Sequence, residues 1–112
     1  MKPAPFKYHD PQSLSELLDL TATLEDAKIL AGGQSLMPMM NMRFVTPDDV
    51  VDINNVSELD FIESKQGHLR IGSMTRQREI VSSKKVSLAA PIIGEALLNV
   101  GHLQTRNRGT LG

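Results

Sequence analysis

The residues best suited to chemistry in this sequence form one short run, Ala31-Gly32-Gly33-Gln34-Ser35-Leu36. Adjacent glycines let a backbone approach a ligand with no Cβ in the way, while Gln34 and Ser35 carry side chains able to donate further hydrogen bonds. The run follows an apolar stretch, Lys28-Ile29-Leu30-Ala31, that reads as a buried strand, and Ser35 opens a segment that reads as a helix. A strand-to-helix turn of this kind aims free backbone N–H groups and the positive end of a helix dipole outward, so it suits an anion, most simply a phosphate or pyrophosphate. The plainer alternative is that Gly32-Gly33 only turns the chain and Ser35 only caps the helix. Neither Gly-x-x-x-x-Gly-Lys-Ser/Thr nor Gly-x-Gly-x-x-Gly occurs, which disfavours a kinase-like loop and a Rossmann turn.

Other candidates are weaker. His9, His68 and His102 stand apart, with no acidic or cysteine companion at a metal-ligand spacing, so no metal site is expected. Cysteine is absent, which excludes disulfides, iron–sulfur ligation by cysteine and thiol catalysis; any such centre must sit on a partner. No catalytic acid, base or nucleophile is singled out. Thr75 suits a helix cap better than a cofactor ligand. Arg106 and Arg108 could meet phosphate or a partner, although loop arginines are commonly just solvated, and Met37, Met39, Met40 and Met42 read as flexible core filler. A net charge of -1 gives no reason to expect nucleic acid. No segment approaches the roughly 20 apolar residues of a membrane span, and no signal-peptide pattern opens the chain, so a cytoplasmic setting is expected.

The elements that must position the glycine run follow from local pattern. Pro5-Phe6-Lys7-Tyr8 reads as a short strand ending in the turn Asp10-Pro11. Ser13 and Glu16 have capping-box spacing and Leu14, Leu17 and Leu18 share a face, which predicts a helix from about Leu14 to Ala22. The helix opened by Ser35 tolerates Pro38 in its first turn and ends near Arg43. Val50 to Ile53 reads as a strand, and Leu59 to Ser64 with His68 to Gly72 as a hairpin around Lys65-Gln66-Gly67, in a central sheet expected to be mixed. Thr75 would cap a helix through Val81, and Pro91 would begin another, with Ile92, Ile93, Ala96, Leu97 and Val100 as its stripe and Gly101 as its end. Arg106 to Gly112 reads as the start of a polar loop. With 112 residues there is room for one domain with a modest core.

Ala31-Gly32-Gly33-Gln34-Ser35-Leu36-Met37-Pro38, then Asn41-Met42-Arg43, then Val50-Val51-Asp52-Ile53, and finally Arg106-Asn107-Arg108-Gly109-Thr110-Leu111-Gly112 together resemble the FAD-binding medium subunit of molybdenum hydroxylases, the carbon monoxide dehydrogenase and xanthine dehydrogenase family. The resemblance runs from Pro5 to Gly112. It implies an α+β chain, the amino-terminal portion of a two-subdomain FAD-binding domain of the p-cresol methylhydroxylase and vanillyl-alcohol oxidase type. Residues 1 to about 55 would form a small α/β subdomain, and about 56 to 112 the start of the second. It further implies that Ala31, Gly32, Gly33, Gln34 and Ser35 cradle the FAD pyrophosphate, and that Thr110, Leu111 and Gly112 open a second clasp of the form Thr-Ile/Leu-Gly-Gly. Ile71 to Thr75 also resembles a family segment near the flavin.

The expected role is electron transfer from iron–sulfur centres on a small subunit, through FAD, to an acceptor, with molybdopterin on a large subunit. The sequence stops before the second glycine of the clasp, so the chain reads as a piece of such a subunit, inactive by itself. The alternative is a truncated, non-catalytic nucleotide- or partner-binding module that no longer holds FAD.

Overall fold

Three short extended runs, Lys7–His9 (β1), Ala27–Leu30 (β2) and Asp49–Asp52 (β3), make one sheet in the order β1-β3-β2. Both outer strands pair with β3 in parallel, Tyr8 opposite Val50 and Leu30 opposite Asp52. Val50 and Val51 are successive residues and so point to opposite faces, yet both are fully buried. The middle strand is therefore covered on both sides, the usual condition of a parallel sheet. The computed structural model describes residues Met1–Gly112, divided into two units, Met1–Ser57 and Glu58–Gly112.

In the first unit the helix Leu14–Thr23 (α1) joins β1 to β2, and Leu36–Asn41 (α2) joins β2 to β3. The Ser13 Oγ accepts from the Glu16 N–H at 3.1 Å, and the Glu16 carboxylate accepts in turn from the Gln12 N–H at 2.9 Å. The reciprocal half of the capping box thus falls one residue earlier than the standard form. Leu17 of α1, Met40 of α2, Val50, Val51, Ile53 and Val56 are the buried apolar residues of this unit. Of the methionines read as core filler, Met40 is buried, whereas Met39 and Met42 are exposed.

The 3-10 turn Ser57–Leu59 falls at the boundary between the units, and the second unit contains the hairpin Ile62–Lys65 (β4) and His68–Ile71 (β5). Gln66 and Gly67 both have positive φ, 51° and 75°, as a two-residue type I′ turn requires. Four helices follow: Gln77–Ser82 (α3), Lys84–Ala89 (α4), Pro91–Leu97 (α5) and Leu103–Arg108 (α6). Ile80, Val86 and Leu97 form the core, with Ile62, Leu69, Ile71, Val81 and Ile93 packed against it. Each helix is shorter than the roughly 12 residues at which an isolated helix becomes viable, so packing rather than propensity holds them.

The α+β class expected from the sequence is found, with two corrections. There is no mixed sheet: the parallel strands and the antiparallel hairpin form separate sheets. A helical crossover delivers a parallel neighbour and a two-residue turn an antiparallel one, and here each kind of connection has its own sheet. Arg106 to Arg108, expected to begin a polar loop, instead complete the helix Leu103–Arg108, and Arg106 donates to the Val100 carbonyl at 3.2 Å beyond the end of α5. A half-buried arginine is thus held by backbone acceptors instead of being merely solvated.

Candidate functional site

The glycine run lies just past the carboxyl end of β2. The β2–β3 ladder continues one bond beyond the strands, with the Ile53 N–H donating to the Leu30 carbonyl at 3.0 Å. At the next residue a side chain takes over: Asn54 Nδ2 donates to the Ala31 carbonyl at 2.9 Å. Gly33 then reverses the chain at φ 79°, and its carbonyl accepts from the Met37 N–H at 3.1 Å to begin α2. A Cβ at Gly33 would lie 3.3 Å from Met37 Cγ and 3.4 Å from Leu30 Cδ1, in a backbone conformation that L side chains avoid.

None of the backbone N–H groups of Gly32, Gly33, Gln34 and Ser35 donates a hydrogen bond within the protein. Gly32 is buried, Ala31 and Gly33 are half-buried, and Gln34 and Ser35 are exposed. Ser35 precedes α2 with helical backbone angles and its side chain makes no capping bond, so the plain reading of it as a cap does not hold. The far end of α2 has its cap instead: Arg43 at φ 58° donates to the Met40 carbonyl and Phe44 to the Met39 carbonyl, a Schellman motif with arginine where glycine is usual. A helix as short as α2 adds little dipole, so the local amides are the main anion-attracting feature.

Asn54 belongs to a chain of side-chain bonds. The Tyr8 hydroxyl donates to Asp52 Oδ2 at 2.6 Å, and Asp52 Oδ1 accepts from the Asn54 N–H at 2.9 Å and from Asn54 Nδ2 at 2.6 Å. The Asp52 carboxylate, by accepting the phenol proton's hydrogen bond, pushes Tyr8 up to about 12. His9 and Asp49 make a separate contact at 2.6 Å.

The second predicted segment lies in the second unit, against the stretch before α3. Leu111 donates to the Thr75 carbonyl at 3.1 Å, Gly112 to the Ser73 carbonyl at 2.9 Å, and Gln77 to the Gly109 carbonyl at 2.9 Å. Gln77 Nε2 also donates to the Thr110 carbonyl at 3.2 Å. The Leu111 and Gly112 amides are therefore occupied, whereas the Thr110 N–H donates to no group of the protein. Thr110 is buried, its hydroxyl donating to the Gly112 carbonyl at 3.2 Å, and Leu111 and Gly112 are exposed.

Thr75 is neither the expected cap nor an available ligand. It is fully buried, and its hydroxyl donates to the Phe61 carbonyl at 3.0 Å and accepts from the Phe61 N–H at 3.2 Å. The residue before α3 is Arg76, with no side-chain cap. Asn54 and Gln77, which grip the two glycine-rich segments, escape sequence reasoning. Asn54-Asn55 carries only a turn signal, and Gln77 meets Thr110 across 33 positions of chain.

Residues 4–112 match the family model described as the FAD binding domain in molybdopterin dehydrogenase. The carbon monoxide dehydrogenase medium chain of Hydrogenophaga pseudoflava is 42% identical over 113 residues, covering 100% of this chain and 39% of its own length. The nicotine 6-hydroxylase medium subunit of Paenarthrobacter nicotinovorans is 42% identical over 112 residues, covering 100% of this chain and 40% of its own. Among solved structures, a chain of quinoline 2-oxidoreductase from Pseudomonas putida 86 superposes with a TM-score of 0.96 at 42% identity, over 100% of this chain and 39% of that one. The chain thus spans about two fifths of the length of the relatives it matches.

Proposed function

The chain belongs to the family of FAD-binding domains in molybdopterin dehydrogenases, and from that membership we propose that it is part of the flavin-binding electron-transfer subunit of a cytoplasmic molybdenum hydroxylase complex. The observation that carries this reading is the run of unused backbone donors from Gly32 to Ser35 at the end of a parallel strand. Phosphate oxygens, each able to accept more than one hydrogen bond, suit such a run, and Gly33 leaves the room and the backbone angle it needs.

Ala31, Gly32, Gly33, Gln34 and Ser35 would hold the FAD pyrophosphate through these amides and the two polar side chains. Thr110, Leu111 and Gly112 would contribute the Thr110 N–H and an exposed backbone edge, the rest being pinned by Gln77, Thr75 and Ser73. Bound FAD supplies the redox chemistry, taking electrons from iron–sulfur centres on a small subunit and passing them to an acceptor, while a large subunit carries molybdopterin. The protein's own contribution is to bind, orient and tune. Residues 1 to about 55 would be the small subdomain and the rest the beginning of the second.

Relatives equally similar to this chain are named for carbon monoxide, nicotine and quinoline. Substrate choice in this reading therefore lies outside the region they share, and the common task is the cofactor's. A second reading is a nucleotide- or partner-binding module without FAD; the occupied Leu111 and Gly112 amides favour it, since half of the second clasp is committed to the fold.

Calorimetric titration of the purified chain with FAD, FMN and ADP separates the two. Micromolar FAD binding, about 8 kcal/mol, is expected of a flavin module. A folded chain that binds neither FAD nor ADP would be inconsistent with it.

A further inference from the structure

We propose that Asn54 is the positioning residue of the phosphate-binding loop, fixing the direction of its first amide donor. The inference rests on the reading of Gly32 to Ser35 as that loop. Asn54 lies outside both glycine-rich segments, two residues past the end of β3, yet its side-chain amide donates to the Ala31 carbonyl at 2.9 Å.

In a trans peptide the carbonyl of one residue and the N–H of the next point in opposite directions. Every peptide bond in the chain is trans. Holding the Ala31 carbonyl on Asn54 therefore turns the Gly32 N–H away from Asn54, leaving it without a partner inside the protein. Without this tether no other hydrogen bond fixes the Ala31–Gly32 peptide plane: the strand ladder has ended with the Ile53 to Leu30 bond, and glycine at the following positions gives the backbone freedom to rotate.

Asn54 is itself held. Asp52 Oδ1 accepts from both its backbone N–H and its Nδ2, an Asx-type turn that leaves the amide a narrow range of orientations. Asp52 is held in turn by the Tyr8 hydroxyl on Oδ2 at 2.6 Å. The tie thus runs from β1, through the last residue of β3, to the residue just after β2, across the whole parallel sheet. Ligands of open parallel sheets bind outside the carboxyl ends of the strands, which is where Asn54 and Ala31 lie.

The experiment compares the unaltered chain with Asn54→Ala and with the nearly isosteric Asn54→Asp, in which a carboxylate oxygen replaces the donor. Affinity for FAD and for ADP is measured beside melting temperature, and amide NMR signals of Gly32 to Ser35 are recorded without ligand. Asn54→Ala is expected to weaken FAD and ADP by the same factor, about tenfold, as loss of one positioning hydrogen bond predicts, and Asn54→Asp by more than tenfold, because its carboxylate would face the Asp52 carboxylate and the Ala31 carbonyl. The Gly32 to Ser35 signals are expected to shift or broaden already in the unliganded variants, while signals elsewhere in the sheet stay in place.

Variants that remain folded and bind FAD within twofold of the unaltered chain would overturn the proposal. So would Gly32 to Ser35 signals left unchanged by Asn54→Ala. If the unaltered chain binds neither FAD nor ADP, the reading of the loop fails, and the amide signals still decide the tether separately.

Discussion

At the scale of single residues, the loop depends on one backbone angle and one side chain. Gly33 holds φ 79° with Met37 Cγ and Leu30 Cδ1 already near contact distance from a would-be Cβ. Gly33→Ala is expected to destabilise the chain by about 1–2 kcal/mol, the cost of left-handed backbone for an L side chain. Urea unfolding of the two proteins measures it, and equal midpoints would show that the loop relaxes into another conformation. The glycine pair and its polar neighbours were legible in the sequence because composition alone sets their freedom. The role of Asn54 was not, because an asparagine after a strand gives the same signal whether its amide faces solvent or a carbonyl 23 positions away.

At the scale of elements, tertiary bonds overruled local signals most clearly at Thr75. A threonine ahead of a helix reads as a cap, but here its hydroxyl both donates to and accepts from the backbone of Phe61, bracing the segment before α3 against the approach to β4. Thr75→Val keeps the shape and removes both bonds, leaving the Phe61 N–H without a partner. A loss of about 1–2 kcal/mol is expected, because the Phe61 N–H is orphaned whereas the Phe61 carbonyl keeps the Gly72 N–H at 2.8 Å. Thermal unfolding followed by circular dichroism measures it; a change below about 0.5 kcal/mol would mean water reaches Phe61 and replaces the hydroxyl. Strong caps such as Ser13 with Glu16 were read correctly because their partners lie within one helical turn. The short α4 and α6 were missed because Ser83-Lys84-Lys85 and Thr105-Arg106-Asn107 carry polar, turn-like composition; α4 is held by the Ser83 cap on Val86 and by buried Val86, whereas α6 buries no residue and Arg106 ties it to the Val100 carbonyl.

At the scale of the whole molecule, two units each have their own buried apolar set, one around Val50 and Val51 and the other around Ile80, Val86 and Leu97. Each set is small, so a ligand that binds the folded state alone should raise stability visibly. At FAD one hundred times its dissociation constant the gain is about 2.7 kcal/mol, and for a chain of this length the melting temperature is expected to rise by roughly 10 °C. A melting curve unmoved by FAD at that saturation would contradict a site confined to the folded state. What the sequence by itself determined was set by near neighbours along the chain: the capped α1, a hairpin around Lys65-Gln66-Gly67, and a glycine run between a strand and a helix able to offer bare amides. Only the tertiary structure decided the separation of parallel strands from hairpin, the occupation of the Leu111 and Gly112 amides, and the holding of Ala31 by Asn54. The physical reason is that a hydrogen-bond donor is fixed by residue type, whereas whether it finds a partner depends on chain brought close from far along the sequence.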